Sequence, residues 1–160
     1  MEMKKNISIR KAVSEDVSKI VAIHKNCVLK TNSRFYPKDV IKEWIKQISA
    51  KNTKEQFKNS QWFVIKIKNK IIGFCQFSIR EKTLYQINIL PKYQAKHYGK
   101  LLYDFIEKIF IKNNVKEIHL NSTLNAVDFY KKLGFKKIRR IKFKLDKTSV
   151  EMIKMKKDLA

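Results

Sequence analysis

The chain has 160 residues, enough for one domain with its own hydrophobic core, and 44% of them are apolar, which excludes a disordered polymer. No apolar run approaches the roughly 20 residues of a bilayer-spanning helix, and Met1 to Asn6 leads into a short strand rather than a signal peptide. Lysine and arginine number 37 against 14 acidic residues, a net charge of +23 carried mostly by lysines scattered among isoleucine and asparagine.

That charge has three readings: a solvated lysine surface of the kind codon usage alone produces, attraction for an anionic ligand, and dedicated nucleic-acid binding. The scarcity of arginine, whose rigid fork suits phosphates and base edges, weighs against the last. Cys27 and Cys75 have no partner spacing and fall within a helical and a strand pattern. They read as buried, reduced thiols of a soluble cytoplasmic protein.

Ile7-Ser8-Ile9-Arg10-Lys11 alternates as a half-buried strand. Ser14 then has the chemistry of a helix N-cap, with Glu15 and Asp16 well placed against the helix dipole. Val17, Ile20, Val21, His24 and Val28 form one helical stripe, on which His24 reads as a packing or rim residue. After a polar connection from Leu29 to Tyr36, Pro37 suits the first turn of a second helix, whose Val40, Ile41, Trp44, Ile45 and Ile48 share a face. Asn52 to Ser60 is polar, a short helix or a loop around Phe57.

From Gln61 the apolar period changes. Trp62, Val64, Ile65 and Ile67 make a strand, Lys68-Asn69-Lys70 turns, and Ile71 to Ile79 make the next; with Thr83–Leu90 they form an antiparallel meander. Glu117 to Asn121 is a fifth strand, reached by a crossover and so parallel to the fourth. Leu124 to Leu133 is a helix with Ala126, Phe129, Tyr130 and Leu133 on one face, ended by Gly134. Phe135–Lys147 and Val150–Lys156 read as a closing hairpin that offers an edge for a homodimer. No linker or repeat interrupts the chain. It is one α+β domain over residues 1–160.

The stretch that the rest serves runs from Leu84 to Asn113. Leu84, Ile87, Ile89 and Leu90 make a strand that Pro91 stops, since proline has no N–H to give. Leu101, Leu102, Phe105, Ile106, Ile109 and Phe110 recur at helical spacing. Between them lies the turn Lys92-Tyr93-Gln94-Ala95-Lys96-His97-Tyr98-Gly99. A strand feeding through a tight turn into a helix aims free backbone N–H groups and the positive end of the helix dipole at one point. Such a point suits a pyrophosphate.

The element order and two blocks of residues resemble the GNAT superfamily of acyl-CoA-dependent N-acetyltransferases, over essentially the whole chain. The first block is Gln94-Ala95-Lys96-His97-Tyr98-Gly99, similar to the family's phosphate turn [Gln/Arg]-x-x-Gly-x-[Gly/Ala], with Ile89-Leu90-Pro91 before it and Lys100-Leu101-Leu102 after it. The second is Asn125-Ala126-Val127-Asp128-Phe129-Tyr130-Lys131-Lys132-Leu133-Gly134-Phe135. One departure stands out: His97 occupies the place of the family's first glycine, whose freedom lets the backbone approach phosphate.

The resemblance implies a mostly antiparallel mixed sheet flanked by helices, with splayed fourth and fifth strands. It implies acetyl-CoA as acyl donor and no metal. An amine would attack the thioester carbonyl, pass through a tetrahedral oxyanion and expel the CoA thiolate. Backbone N–H groups from Gln94, Ala95, Lys96, His97, Tyr98, Gly99 and Lys100 would hold the pyrophosphate. The main chain of Ile89 and Leu90 would pair with the pantetheine arm, and an N–H there would polarise the carbonyl. Asn125 resembles the family's cofactor-contacting asparagine, Phe129 falls in the same block, and Asn121 ends the fifth strand beside it. Tyr130 matches the tyrosine that protonates the thiolate.

Tyr36 and Trp44 resemble residues of the acceptor pocket. No base is named: relatives often use a glutamate at the start of the fourth strand, where this chain has Lys82-Thr83-Leu84-Tyr85, and Glu81 falls in the turn. Asp39 and Glu43 are the acidic residues near the acceptor region, which leaves no acidic well for a polyamine. Small amines, amino acids and protein amines stay open as acceptors. So do an RNA-linked amine such as aminoacyl-tRNA, and a module that binds acyl-CoA without turnover.

Overall fold

The computed structural model describes residues 6–159; the reading of Met1 to Lys5 lies outside them. The sheet has seven strands: β1 (Ile7–Lys11), β2 (Gln61–Ile67), β3 (Lys70–Ser78), β4 (Thr83–Ile89), β5 (Glu117–Thr123), β6 (Lys136–Lys144) and β7 (Ser149–Asp158). Their order is β1-β2-β3-β4-β5-β7-β6, and every neighbouring pair is antiparallel except β4 and β5. The described helices are α1 (Val17–Lys30), α2 (Lys38–Gln47), α3 (Ala50–Phe57), α4 (Tyr98–Lys112) and α5 (Val127–Lys132).

Alternation along the central strands feeds two layers of core. Ile65, Cys75, Phe77 and Leu84 pack with Leu102, Ile106 and Phe110 of α4 on one face. Trp62, Val64 and Phe74 point the other way, onto Ile20, Ile23 and Cys27 of α1. A third cluster joins Val28 to Tyr36, Val40, Ile41, Trp44 and Val150, fixing α2 against β7. Fully burying side chains such as Phe74, Phe77 and Phe110 contributes about 1.5–3 kcal/mol each. Gly73 lets β3 and β4 approach closely: a Cβ there would stand 2.5 Å from Ile89 Cδ1 and 2.7 Å from the Asn88 carbonyl oxygen.

Two local features depart from the sequence reading, and one decides between alternatives that it left open. The start of α1 is closed by Asp16 and not by Ser14, whose hydroxyl donates to Glu15. Asp16 accepts the Val13 N–H at 2.8 Å and both arms of Arg10, at 2.8 and 2.9 Å. Arg10 comes from β1, so the cap is a tertiary contact. The polar stretch after Ile48 is a true helix, α3, because Ser49 accepts the Asn52 N–H at 3.1 Å. Glu43 is drawn away from the acceptor region, and its carboxylate accepts the N–H groups of Lys147 and Thr148 in the β6–β7 turn.

Candidate active site

The parallel contact between β4 and β5 covers only Thr83 with His119 and Leu84 with Leu120. Beyond it the strands part. The cause is visible in the register of β3 with β4: Gln76 faces Gln86 but Phe77 faces Leu84, so Tyr85 is an extra residue in β4. A bulge of this kind bends and twists its strand, and here it does so where β4 leaves β5. The parting opens a cleft of about 1130 Å³.

The Leu90 N–H is spent on the Ile72 carbonyl of β3 at 2.8 Å. Because alternate residues of an antiparallel strand direct their polar groups to opposite sides, those of Ile87 and Ile89 face the gap. The Ile89 carbonyl is already covered: Gln94 Nε2 donates to it at 2.8 Å and Cys27 Sγ at 3.2 Å. The Gln94 side chain thereby ties the turn to the end of β4, and its own N–H goes to Pro91.

The turn reaches α4 through two residues with left-handed backbone, Ala95 (φ 60°) and His97 (φ 69°). His97 thus adopts the conformation for which glycine is usual, and it precedes the first residue of α4. The first intrahelical bond runs from the Leu101 N–H to the His97 carbonyl at 3.0 Å. The N–H groups of the turn before it have no intrahelical acceptor and point with the helix dipole at the cleft mouth. Lys100 stands beside them, paired with Asp104 at 2.9 Å. Lys96 is exposed and Tyr98 is buried against Tyr93, so neither side chain lines the cleft. Gly99 keeps room for Phe129: a Cβ would sit 3.2 Å from that ring.

On the far wall, Asn121, Asn125, Phe129 and Tyr130 all line the same cleft. Asn125 Oδ1 is buried without a donor, a state that costs about 1–3 kcal/mol until a ligand N–H fills it. An amide-rich acyl carrier supplies such a group, so this wall fits the pantetheine arm of CoA. Tyr130 is 6% exposed and held between the rings of Phe129 and Phe135. Burial, with a smaller effect of Cys75, pushes its phenol pKa up, so the hydroxyl stays protonated.

A set of polar residues that the sequence reading missed lines the sheet face under α1 and α3. The Ser60 hydroxyl donates to the Gln56 carbonyl at 2.7 Å and accepts from Trp62 Nε1 and Gln76 Nε2, both at 3.0 Å. Gln76 Oε1 accepts from Gln86 Nε2 at 2.9 Å, and Gln86 Oε1 from Asn88 Nδ2 at 2.7 Å. His24 lines the same side, edge-on to Phe74, and burial lowers its pKa to about 4. Only the period-two placement of Gln76, Gln86 and Asn88 hinted at a shared face.

Trp44 lines the cleft. Tyr36 lies one layer behind it, where its hydroxyl donates to the Glu151 carbonyl and accepts the Leu124 N–H at 3.0 Å. Among the described residues no aspartate or glutamate lines the cleft, and Glu81 sits in the β3–β4 turn, its N–H on Ser78. Among the described residues no cluster of three His, Cys, Asp or Glu gathers, and no helix is long and apolar enough to cross a membrane.

A gap between parallel strands beside an open helix N-terminus suits an anionic ligand with an amide-bearing arm, and the protonated tyrosine across it can give up a proton. Residues 32–159 match the family model described as an acetyltransferase (GNAT) domain. The chain belongs to the GNAT acetyltransferase family and is an acetyl-CoA-dependent acyltransferase.

Solved structures share its fold. A GCN5-related N-acetyltransferase from Rhodopseudomonas palustris superposes with a TM-score of 0.89 at 16% identity, over 95% of either chain. The PaiA N-acetyltransferase from Thermoplasma acidophilum, in complex with coenzyme A, gives 0.79 at 24% identity, over 96% of this chain and 99% of that one. YncA from Salmonella typhimurium, a putative acetyltransferase with its cofactor acetyl-CoA, gives 0.65 at 18%, over 97% and 95%. No curated protein matches the sequence.

Proposed function

We propose that the protein transfers the acetyl group of acetyl-CoA directly to a primary amine in the cytoplasm. The observation that carries this reading is the convergence on one cleft of the α4 N-terminal turn, the free backbone edge of β4, the orphaned Asn125 carbonyl and the Tyr130 hydroxyl. Coenzyme A-bound neighbours with the same fold support it. The free, buried state of Cys27 and Cys75 accords with a reducing compartment.

In this reading acetyl-CoA supplies an activated acyl group and a thiolate leaving group. N–H groups from Ala95 to Lys100 hold the pyrophosphate. The Ile87 and Ile89 edge pairs with the pantetheine amides, and one of its N–H groups polarises the thioester carbonyl. Asn121 and Asn125 flank the arm, Asn125 accepting an amide N–H, and Phe129 packs against it. Tyr130 donates a hydrogen bond, then its proton, to the departing sulfur. The raised phenol pKa does not forbid this, because the same dry wall raises the pKa of the thiol that forms. The acceptor, a small-molecule or protein amine, enters past Trp44, with Tyr36 packed behind.

The test is acetyl-CoA binding by calorimetry at moderately high salt, with ATP as anion control, followed by CoA release with amines. Saturable binding that ATP does not reproduce is expected. Tyr130→Phe should keep that affinity and lower kcat on the order of 10²-fold. Equal, salt-sensitive weak binding of both nucleotides would sink the reading, and binding without turnover would leave a module that only holds acyl-CoA.

A further inference from the structure

Strands β5, β7 and β6 carry an arrangement on their cleft side that the reaction above does not use. Asn121 stands opposite Lys154, and Lys154 opposite Arg139, so the three share one rung of the sheet. Opposed residues of neighbouring antiparallel strands point to the same face with Cβ atoms about 4.5–5.5 Å apart, and like charges so placed repel. The same residues, with Thr83, His119 and Ile141, line a second cavity of about 320 Å³. It shares Thr83 and Asn121 with the larger cleft, so the two meet where β4 and β5 begin to part.

Neighbouring cations of these strands are answered by acids. Glu117 meets Lys156 at 3.4 Å and His119 at 3.3 Å, and Glu151 meets Arg140. Among the described residues Arg139 and Lys154 have no such partner, and no aspartate or glutamate lines the cavity. Two opposed cations destabilise the empty cavity, and an anion between them removes that repulsion. Arginine's planar fork beside lysine's point charge suits a carboxylate or a phosphoryl group. The adjacent rung holds Thr123, Met152 and Ile141, so an apolar strip runs beside the charged one. Across the gap, the hydrogen-bonded chain from Ser60 through Gln76 and Gln86 to Asn88 is uncharged.

We propose that Arg139 and Lys154 form an anion subsite for the acceptor, which is a small amine bearing a carboxylate or phosphoryl group at a distance from its nitrogen. This rests on the acetyltransferase reading above and adds the charge that the acceptor must carry. The spacing follows from the sheet: strands lie about 4.8 Å apart, so a point midway between Lys154 and Arg139 is about 7 Å from Asn121 at the gap. An amine in the gap with its acid on the subsite spans that distance, its methylenes along Met152 and Ile141. A polyamine brings a second cation to the same point and is repelled.

The experiment follows CoA thiol release at 0.15 M salt, where the general field reaches only about 8 Å, with acetyl-CoA affinity measured separately. Its acceptors are two pairs that differ at the far end alone: 5-aminopentanoate with 5-aminopentanamide, and 3-aminopropylphosphonate with 3-aminopropanol. In at least one pair the anion should lead in kcat/KM by about tenfold, and that pair identifies the group the subsite reads. Arg139→Gln and Lys154→Gln should each shrink the lead to about twofold through KM. Lys142→Gln makes the same change of charge on the other face of β6 and should keep the lead. Arg139→Gln should also raise the urea midpoint of the free protein, because it removes a like-charge contact. Equal use of both members of each pair, a lead that survives both variants, or one that shrinks equally in Lys142→Gln would overturn the proposal. So would a lowered urea midpoint, which would make the pair structural, or bound acetyl-CoA with none of these amines turned over. Failure to bind acetyl-CoA would instead remove the parent reading, and this one with it.

Discussion

His97 stands where a glycine would be expected to relieve the backbone, and it takes the left-handed conformation itself, at φ 69° and ψ 7°. Holding a side-chain-bearing residue there costs about 1–2 kcal/mol. Histidine tolerates the region better than most residues, whereas a β-branched one is an outlier in it. Replacing His97 by glycine removes that strain but frees the unfolded chain by about 0.5–1 kcal/mol, so the two effects nearly cancel. His97→Gly should therefore unfold in urea within about 0.5 kcal/mol of the parent, and bind acetyl-CoA severalfold tighter because the backbone can approach phosphate. His97→Val should lose about 1–2 kcal/mol. A tighter-binding valine variant would show that the left-handed turn does not set the affinity. The turn from Lys92 to Gly99 was legible from the strand and helix patterns on either side of it, and Gln94, His97 and Gly99 were singled out within it by the resemblance to the family's phosphate turn. The rung of Arg139 and Lys154 was not legible, because a bulge sets the register that opposes them across β6 and β7.

At the scale of elements the same division holds. The stripes of α1, α2 and α4 and the alternation of β2 and β3 declare themselves in the sequence, since each is a short-range pattern. The splay of β4 from β5 depends on the one-residue bulge at Tyr85, which no alternation rule marks in advance. The start of α1 likewise depends on Arg10 reaching from β1. The Arg10 hydrogen bonds hold the Asp16 carboxyl below the usual carboxylate range, against the opposing cost of its burial. A depressed folded-state pKa stabilises above the unfolded value of about 3.9, and that contribution is lost as pH falls through the folded value. Arg10 is 40% exposed, so solvent screening trims the effect. Asp16→Asn should cost about 1–2 kcal/mol at pH 7, and its stability gap to the parent should close as pH drops below about 4. A gap that stays constant from pH 7 to pH 3 would mean that the charge on Asp16 contributes nothing.

The whole molecule carries +23, and how far that charge acts depends on salt. Its densest exposed stretch is the outer strand β6, where Lys136, Lys137, Arg139, Arg140, Lys142 and Lys144 fall within nine residues and, among the described residues, Arg140 alone of these meets a carboxylate, that of Glu151. Such an edge repels a second copy of itself, which opposes edge-to-edge pairing through this strand. The field reaches the cofactor only as far as screening allows: about 30 Å at 0.01 M salt but about 8 Å at 0.15 M. At low salt every lysine on the molecule helps to draw an anionic nucleotide toward the cleft, a long-range effect on association and not on chemistry. Near physiological salt the cations close to the cleft count most, among them Lys100 and Lys132 of its lining. Reversing two β6 charges, Lys137→Glu with Lys142→Glu, should therefore lower kcat/KM for acetyl-CoA severalfold at 0.01 M and leave it unchanged at 0.15 M. Lys132→Ala should raise KM for acetyl-CoA at both, with kcat held in each case. If the β6 reversal still weakens turnover at 0.15 M, and does so at saturating acetyl-CoA, the face that Lys137 and Lys142 share is touching the acceptor. The charge on this face would then belong to recognition and not to steering.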